Sequence, residues 1–396
     1  MKIAIIGPQG YPVPAVKGGA IETLIDVIIK ENENKESLKI DVYTIYDKQA
    51  IEASKNYKKT KFIYLCKNKK LIKIRNKFIS LFRRIFKKNF AHTYAQEICK
   101  GIRHNDYDRV VVEGDSSLIE PISKVIDKEK IYLHIHHNPL KTNQPQFKKE
   151  VLLCNKIITV SRFISKALDE CMEDKQVASV VLKNCTKVEN FNKDIYIDER
   201  KELRNKFNIK DDEITIMFTG RTIWQKGIKE LVLAFKQVSN RYNNVKLLIV
   251  GNSGFGNEVK TKFDRELKDI AEGIKDKVIF TGFIHNSKMP QIHAMADIAV
   301  IPSIYDDPAP LVVMECMASG LPVITTDSGG IPEYVGENNC ISIIRDENII
   351  ANLENALEKL ILDEKYRKNL GKNAHNYAQQ FNSKKFYHDF IDVIKN

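Results

Sequence analysis

Short, β-branched runs alternate with amphipathic stretches along almost the whole of this chain, in two successive series. The first series is KIAIIG (2–7), KIDVYTIY (39–46), KFIYLC (61–66), DRVVVEG (108–114), KIYLHIH (130–136) and NKIITVS (155–161). The second is EITIMFTG (213–220), KLLIVG (246–251), KVIFTG (277–282), ADIAVIPS (296–303) and LPVITT (321–326). Strands separated by helix-length segments pair in parallel, because a parallel connection needs a long crossover. The expected class is therefore α/β, with two doubly wound domains. A chain of 396 residues also exceeds what one hydrophobic core supports. The polar segment 184–197 lacks periodicity and is the expected join. The last residues, SKKFYHDFIDVIKN, read as an amphipathic helix.

Hydrophobic residues make up 43% and charged residues 29%, an ordinary soluble composition. No apolar run approaches the ~20 residues of a membrane span. The opening MKIAIIGPQGYP reads as a buried strand and not a signal peptide. Seven scattered cysteines without a CxxC imply reduced thiols in a cytoplasmic protein. The net charge of +12 is concentrated in residues 67–90, which hold ten Lys or Arg and no acid. At helical spacing, Leu71, Ile74, Phe78, Phe82 and Ile85 fall on one side, and Lys73, Lys77, Arg84 and Lys88 on the other. That pattern suits an anionic membrane surface, with a core helix carrying a solvated basic back as the alternative. The aromatic residues lie on the apolar face and do not interleave with the basic one, so no nucleic-acid partner is expected.

Residues 302–330, PSIYDDPAPLVVMECMASGLPVITTDSGG, read as strand end, loop, helix, strand and Gly-rich turn. This order places Asp306, Asp307, Glu315 and exposed backbone N–H groups at the carboxyl ends of parallel strands, where open α/β sheets bind ligands. Carboxylates suit paired hydroxyls and N–H groups suit phosphate, which together suggest a nucleotide-sugar pocket. In FTGRTIWQKGIKEL (218–231), Arg221 ends a strand and Lys226 precedes the next helix. Two cations there can grip a diphosphate. Gly18 and Gly19 open the first helix, where the dipole favours an anion. Their segment matches neither GxGxxG nor the Walker pattern. In YLHIHHNPL (132–140), His134 and His136 share one strand face and His137 the other. Three histidines make a metal site conceivable, but no cysteine and no His–Glu pair at ligand spacing supports zinc. The preferred reading is His136 as a hydrogen-bonding or acid/base group. Asp106–Tyr107–Asp108 resembles a metal-holding DxD element and reads better as a polar turn.

GRTIWQKGI, PSIYDDPAPLVVMECMASGLPVI and TDSGGIPE, supported by GGAIET, HIHHN and ITVSRF, resemble the family 4 glycosyltransferases over nearly the full chain. What the resemblance implies is a GT-B architecture, two Rossmann-like domains facing across an interdomain cleft. It implies an acceptor-side domain at 1–187 with a terminal helix, 380–396, packing back on it, and a donor domain at 188–379. The activity implied is retaining transfer of a sugar from a nucleoside-diphosphate sugar, UDP favoured, to a glycan or lipid-linked acceptor in cell-surface polysaccharide synthesis. It needs no cofactor and no metal. The enzyme would be cytoplasmic and peripheral at the inner membrane face. A catalytically silent subunit and a sugar-nucleotide epimerase are the alternatives. The resemblance further implies that Arg221 and Lys226 bind the diphosphate and that Glu315 takes the ribose hydroxyls. Pro308, Ala309, Pro310 and Leu311 would supply backbone N–H groups, with Asp307 contacting the donor sugar. Gly19 would face phosphate, His136 the transferred sugar, and Phe283 and Ile284 the base. The chain departs from the pattern in two places. Asp307 replaces a longer Glu, with Asp306 as a substitute, and Cys185 stands where a Gly permits positive φ.

Overall fold

The structure is a computed structural model and describes residues 1–86, 92–142, 144–173, 177–253 and 261–396. It divides into two compact units, Met1–Asn184 with Ser383–Asn396, and Cys185–Asn382.

In the first unit the described strands are β1 (Lys2–Ile6), β2 (Lys39–Ile45), β3 (Lys61–Leu65), β4 (Arg109–Glu113), β5 (Ile131–Ile135), β6 (Lys156–Thr159) and β7 (Ser179–Val181). They form a parallel sheet in the order β3-β2-β1-β4-β5-β6-β7. In the second unit β8 (Ile214–Thr219), β9 (Val245–Val250), β10 (Val278–Gly282), β11 (Ile298–Ile301), β12 (Val323–Thr326) and β13 (Ile341–Ile343) take the order β10-β9-β8-β11-β12-β13. Both sheets are doubly wound, as the two series of runs imply. Their strands are near-continuous apolar runs because both faces are covered: Ile3, Ala4, Ile5 and Ile6 are fully buried, as are Leu247, Leu248 and Ile249.

Strand order reverses beside β1 in the first sheet and beside β8 in the second. At each reversal the flanking connections leave toward opposite faces and open a crevice at the strands' carboxyl ends. β7 and β13 are strands that the sequence reading lacks. At three residues each they are too short to show alternation.

Within the first unit, the helix Ser383–Lys395 packs on the helix Ala20–Lys35, burying Phe386, Tyr387, Phe390 and Ile394. The Tyr387 hydroxyl donates to Asn32 Oδ1 at 2.7 Å. Asn32 also holds Leu38 through both its backbone groups, so this buried amide is satisfied. Among described non-glycine residues, only Glu36, Cys66, Glu173, Asn208 and Asn338 have positive φ. Cys185 is therefore accommodated without the strain that its replacement of glycine suggested.

The basic segment forms the helix Lys69–Phe86, and its continuation 87–90 lies outside the described residues. Asn76 Oδ1 anchors it, accepting from the Thr93 N–H at 3.0 Å and the Thr93 hydroxyl at 2.8 Å. This anchor turns the Ile72, Asn76 and Ile79 side inward. Leu71, Ile74 and Phe78 stay 53%, 54% and 58% exposed. The core-helix alternative is thus corrected, because Leu71, Ile74 and Phe78 of the apolar stripe face outward.

Candidate active site

In the second unit three loops meet at the β8/β11 reversal. β8 ends at Thr219, and the chain passes through Gly220 to the exposed Arg221, then through the short turn Trp224–Lys226. Gly227, at φ 66, opens the helix Ile228–Arg241. Its place demands glycine, since a Cβ there would lie 1.8 Å from the Pro302 carbonyl oxygen of the loop after β11. The Ile304 N–H donates to the Gln225 carbonyl at 3.1 Å, which ties the same two loops again. Lys226 Nζ then reaches Asp307 Oδ2 at 2.5 Å. The third loop, after β12, is fixed by the Gly330 N–H donating to the Asp307 carbonyl at 2.8 Å.

Asp306 does not share the place of Asp307. Its carboxylate pairs with Arg345 Nη2 at 2.8 Å, and Arg345 Nε lies 3.7 Å from Asp327. Arg345, which the sequence reading lacks, therefore braces the loops after β11 and β12 together.

Glu315 lies on the helix Leu311–Ala318, and its carboxyl makes no hydrogen bond among the described residues. Burial pushes its pKa up to about 7. The loop 308–311 is corrected on chemical grounds. Pro308 and Pro310 have no N–H, so only Ala309 and Leu311 can donate from it. Phe283 follows Gly282 (φ 71) and is exposed, whereas Ile284 packs on the second unit's core.

In the first unit Gly18 and Gly19 take φ of 76 and 100, and Gly19 caps the helix Ala20–Lys35. The buried Glu22 folds its carboxyl against Gly19, where a Cβ would lie 2.0 Å from Oε2. Burial raises its pKa to about 7 against the pull of the Glu22 and Tyr11 backbone N–H groups, and the charge of Glu113 adds to the rise. Glu113 ends β4 opposite His134 of β5, and Gly114 N–H donates to the His134 carbonyl at 2.9 Å. Glu113 Oε2 lies 2.8 Å from His136 Nε2 and 3.0 Å from His134 Nδ1. Burial alone would raise the Glu113 pKa, but His134 and His136 outweigh it and hold the carboxyl down at about 2. Burial and the neighbouring His134 push His136 down to about 4. His137, on the opposite strand face, packs on Phe147.

The ligand atoms of Glu113, His134 and His136 lie within 4.8 Å of one another. The His–Glu pair that the sequence reading did not find is thus supplied by the neighbouring strand. The DxD turn is structural. Asp108 accepts from the Lys2 N–H at 2.6 Å, and the buried Tyr107 hydroxyl donates to Asp41 at 2.6 Å.

Residues 199–377 match the family model described as "Glycosyl transferases group 1". The chain is 25% identical over 386 residues to "Putative glycosyltransferase YtcC" of Bacillus subtilis (strain 168), covering 96% of this chain and 88% of that one. It is 26% identical over 227 residues to "Lipopolysaccharide 1,2-N-acetylglucosaminetransferase" of Salmonella typhimurium, covering 57% and 56%. Among solved structures it is similar to HepE from Anabaena in complex with UDP and glucose, with a TM-score of 0.78 at 18% identity, covering 100% of this chain and 99% of that one. It is also similar to WaaG, a glycosyltransferase of lipopolysaccharide biosynthesis, with a TM-score of 0.68 at 16% identity, covering 100% of both chains. The two parallel-sheet, Rossmann-like units are those of the GT-B fold.

Glu22 yields a test of the burial of this cluster. Its folded pKa of about 7 stands above the ordinary 4.5, so between these values the folded chain holds a proton that the unfolded chain lacks. Stability contributed by that proton falls as pH rises through the window. Urea unfolding at pH 5 and pH 8 should show Glu22→Gln gaining on the parent by about 1–3 kcal/mol at the higher pH. Parallel pH curves for the two proteins would contradict the assigned burial.

Proposed function

We propose that this protein is a retaining glycosyltransferase. It moves a sugar from a nucleoside-diphosphate sugar, UDP favoured, to a glycan or lipid-linked acceptor in cell-surface polysaccharide synthesis. The observation that carries this reading is the pairing of Lys226 with Asp307 on loops at the β8/β11 reversal, with Arg221 on the first of these loops and Glu315 on the helix that follows the second. The group 1 glycosyltransferase match over the same unit supports it, as do relatives whose names describe sugar transfer. The choice of UDP draws on HepE, solved with UDP.

In this reading the diphosphate exchanges for Asp307 on Lys226, since two anions compete for one ammonium group. Arg221 supplies the second cation. Glu315 accepts from the ribose hydroxyls, and Ala309 and Leu311 offer backbone N–H groups to phosphate. Freed from Lys226, Asp307 reaches the donor sugar. Gly19 lets backbone approach a phosphate, and Phe283 and Ile284 border the base. As the bond between the anomeric carbon and the phosphate oxygen breaks, negative charge gathers on the diphosphate, and the two cations offset it without a metal. The acceptor oxygen bonds to the anomeric carbon on the departing face, and its proton passes to the leaving phosphate.

The helix Lys69–Phe86 supplies the membrane contact. Leu71, Ile74 and Phe78 are apolar and exposed, and Lys73 and Lys77 are exposed beside them. Each basic residue near an anionic surface contributes about 1 kcal/mol, enough for reversible docking when several act together. The enzyme is accordingly assigned to the cytoplasmic face of the membrane.

Arg221→Ala and Lys226→Ala should each lower transfer from a UDP-sugar by a hundredfold or more, roughly the effect of losing one donor to developing charge. The unfolding free energy of Arg221→Ala should stay within about 0.5 kcal/mol of the parent, as expected for a change at an exposed side chain. Full transfer by both variants would remove this reading.

Leu71→Ser, Ile74→Ser and Phe78→Ser combined should abolish flotation with vesicles containing anionic lipid and spare transfer to a soluble acceptor. Unchanged flotation would refute the membrane contact.

A further inference from the structure

We propose that Glu113 is a positioning residue that fixes the tautomer of His136, so that His136 presents Nδ1 as a hydrogen-bond acceptor to a substrate hydroxyl. The sequence points to His136 alone, and the contact with Glu113 comes from a neighbouring strand.

Glu113 is 1% exposed and lies at the end of β4, with His136 one residue beyond β5. His134 and His136 hold its carboxyl below the ordinary range against its burial, so it is ionised at neutral pH, and an ionised carboxylate only accepts. The atom facing it at 2.8 Å, His136 Nε2, must therefore carry hydrogen. His136 stays neutral near pH 7, because its pKa is pushed down to about 4 and the His134 ring stands 4.0 Å away, centroid to centroid. A neutral ring with hydrogen on Nε2 has a lone pair on Nδ1. Nδ1 makes no hydrogen bond among the described residues. His136 is thereby prevented from donating at Nδ1, and it acts as neither a general acid nor a cation at neutral pH.

The same three side chains resemble a metal-ligand set, but the contact of His136 Nε2 with Glu113 Oε2 is a hydrogen bond.

The test is two-bond 1H–15N correlation of histidine-labelled full-length protein at pH 7, parent and Glu113→Gln. The parent His136 should show the neutral ring protonated at Nε2. Glu113→Gln, whose amide can donate, should convert part or all of the population to the Nδ1–H form. Zinc content measured on the purified parent should be substoichiometric. An imidazolium or an Nδ1–H ring in the parent, or one zinc per chain lost in Glu113→Gln, would overturn the proposal. The parent spectrum decides the tautomer even if the variant fails to fold.

The substrate half rests on the transferase reading. There, Glu113→Gln should lower kcat/KM about tenfold or more, as expected for a lost hydrogen bond, with the pH profile altered. An assigned tautomer with unchanged kinetics would overturn the substrate half. Absence of transfer in the parent would instead fault the transferase reading and leave the tautomer result intact.

Discussion

The architecture follows from parallel strand pairing. Parallel neighbours cannot be joined by tight turns, so every connection crosses over with a helix and every strand ends at the same edge of its sheet. In each unit the order turns back beside its first strand, β1 or β8. Loops after β1 and β4, and after β8 and β11, are thereby brought together although many residues separate them. Glu22 and Glu113 come close in one unit by this route, and Lys226 and Asp307 in the other.

What differs between the two edges is how charge is managed. At the β8/β11 reversal the cations stay close to water, with Lys226 paired to Asp307, an arrangement that an incoming diphosphate can exchange. At the β1/β4 reversal a carboxylate is enclosed and is held ionised by two imidazoles. Enclosure there favours a fixed hydrogen-bond direction over exchange, since an unpaired charge in low dielectric is costly. Arg345 belongs to the first kind of site. By engaging Asp306 it leaves Asp307 as the carboxylate on Lys226.

Much of this was legible in the sequence, because parallel sheets write themselves as apolar runs. Arg221, Lys226 and Asp307 stand just beyond such runs, and the fold brings Lys226 and Asp307 together. Glu113 was overlooked although it ended one of them, since its meaning depends on which strand lies next to β4. Asp306 and Asp307 looked interchangeable until Arg345, far along the chain, separated them. The helix Lys69–Phe86 was read correctly as amphipathic. Which of its sides turns inward is marked by Asn76 on Thr93, a polar contact that periodicity does not reveal. The N–H groups expected of Pro308 and Pro310 are absent for a chemical reason and not a folding one, since a proline ring carries none.

In the proposed function a nucleoside-diphosphate sugar binds at the β8/β11 reversal. Hydrogen exchange of the full chain with and without a saturating UDP-sugar tests it directly. Protection should concentrate in 220–228 and 304–316. Exchange unchanged in both segments, with binding established independently, would contradict it.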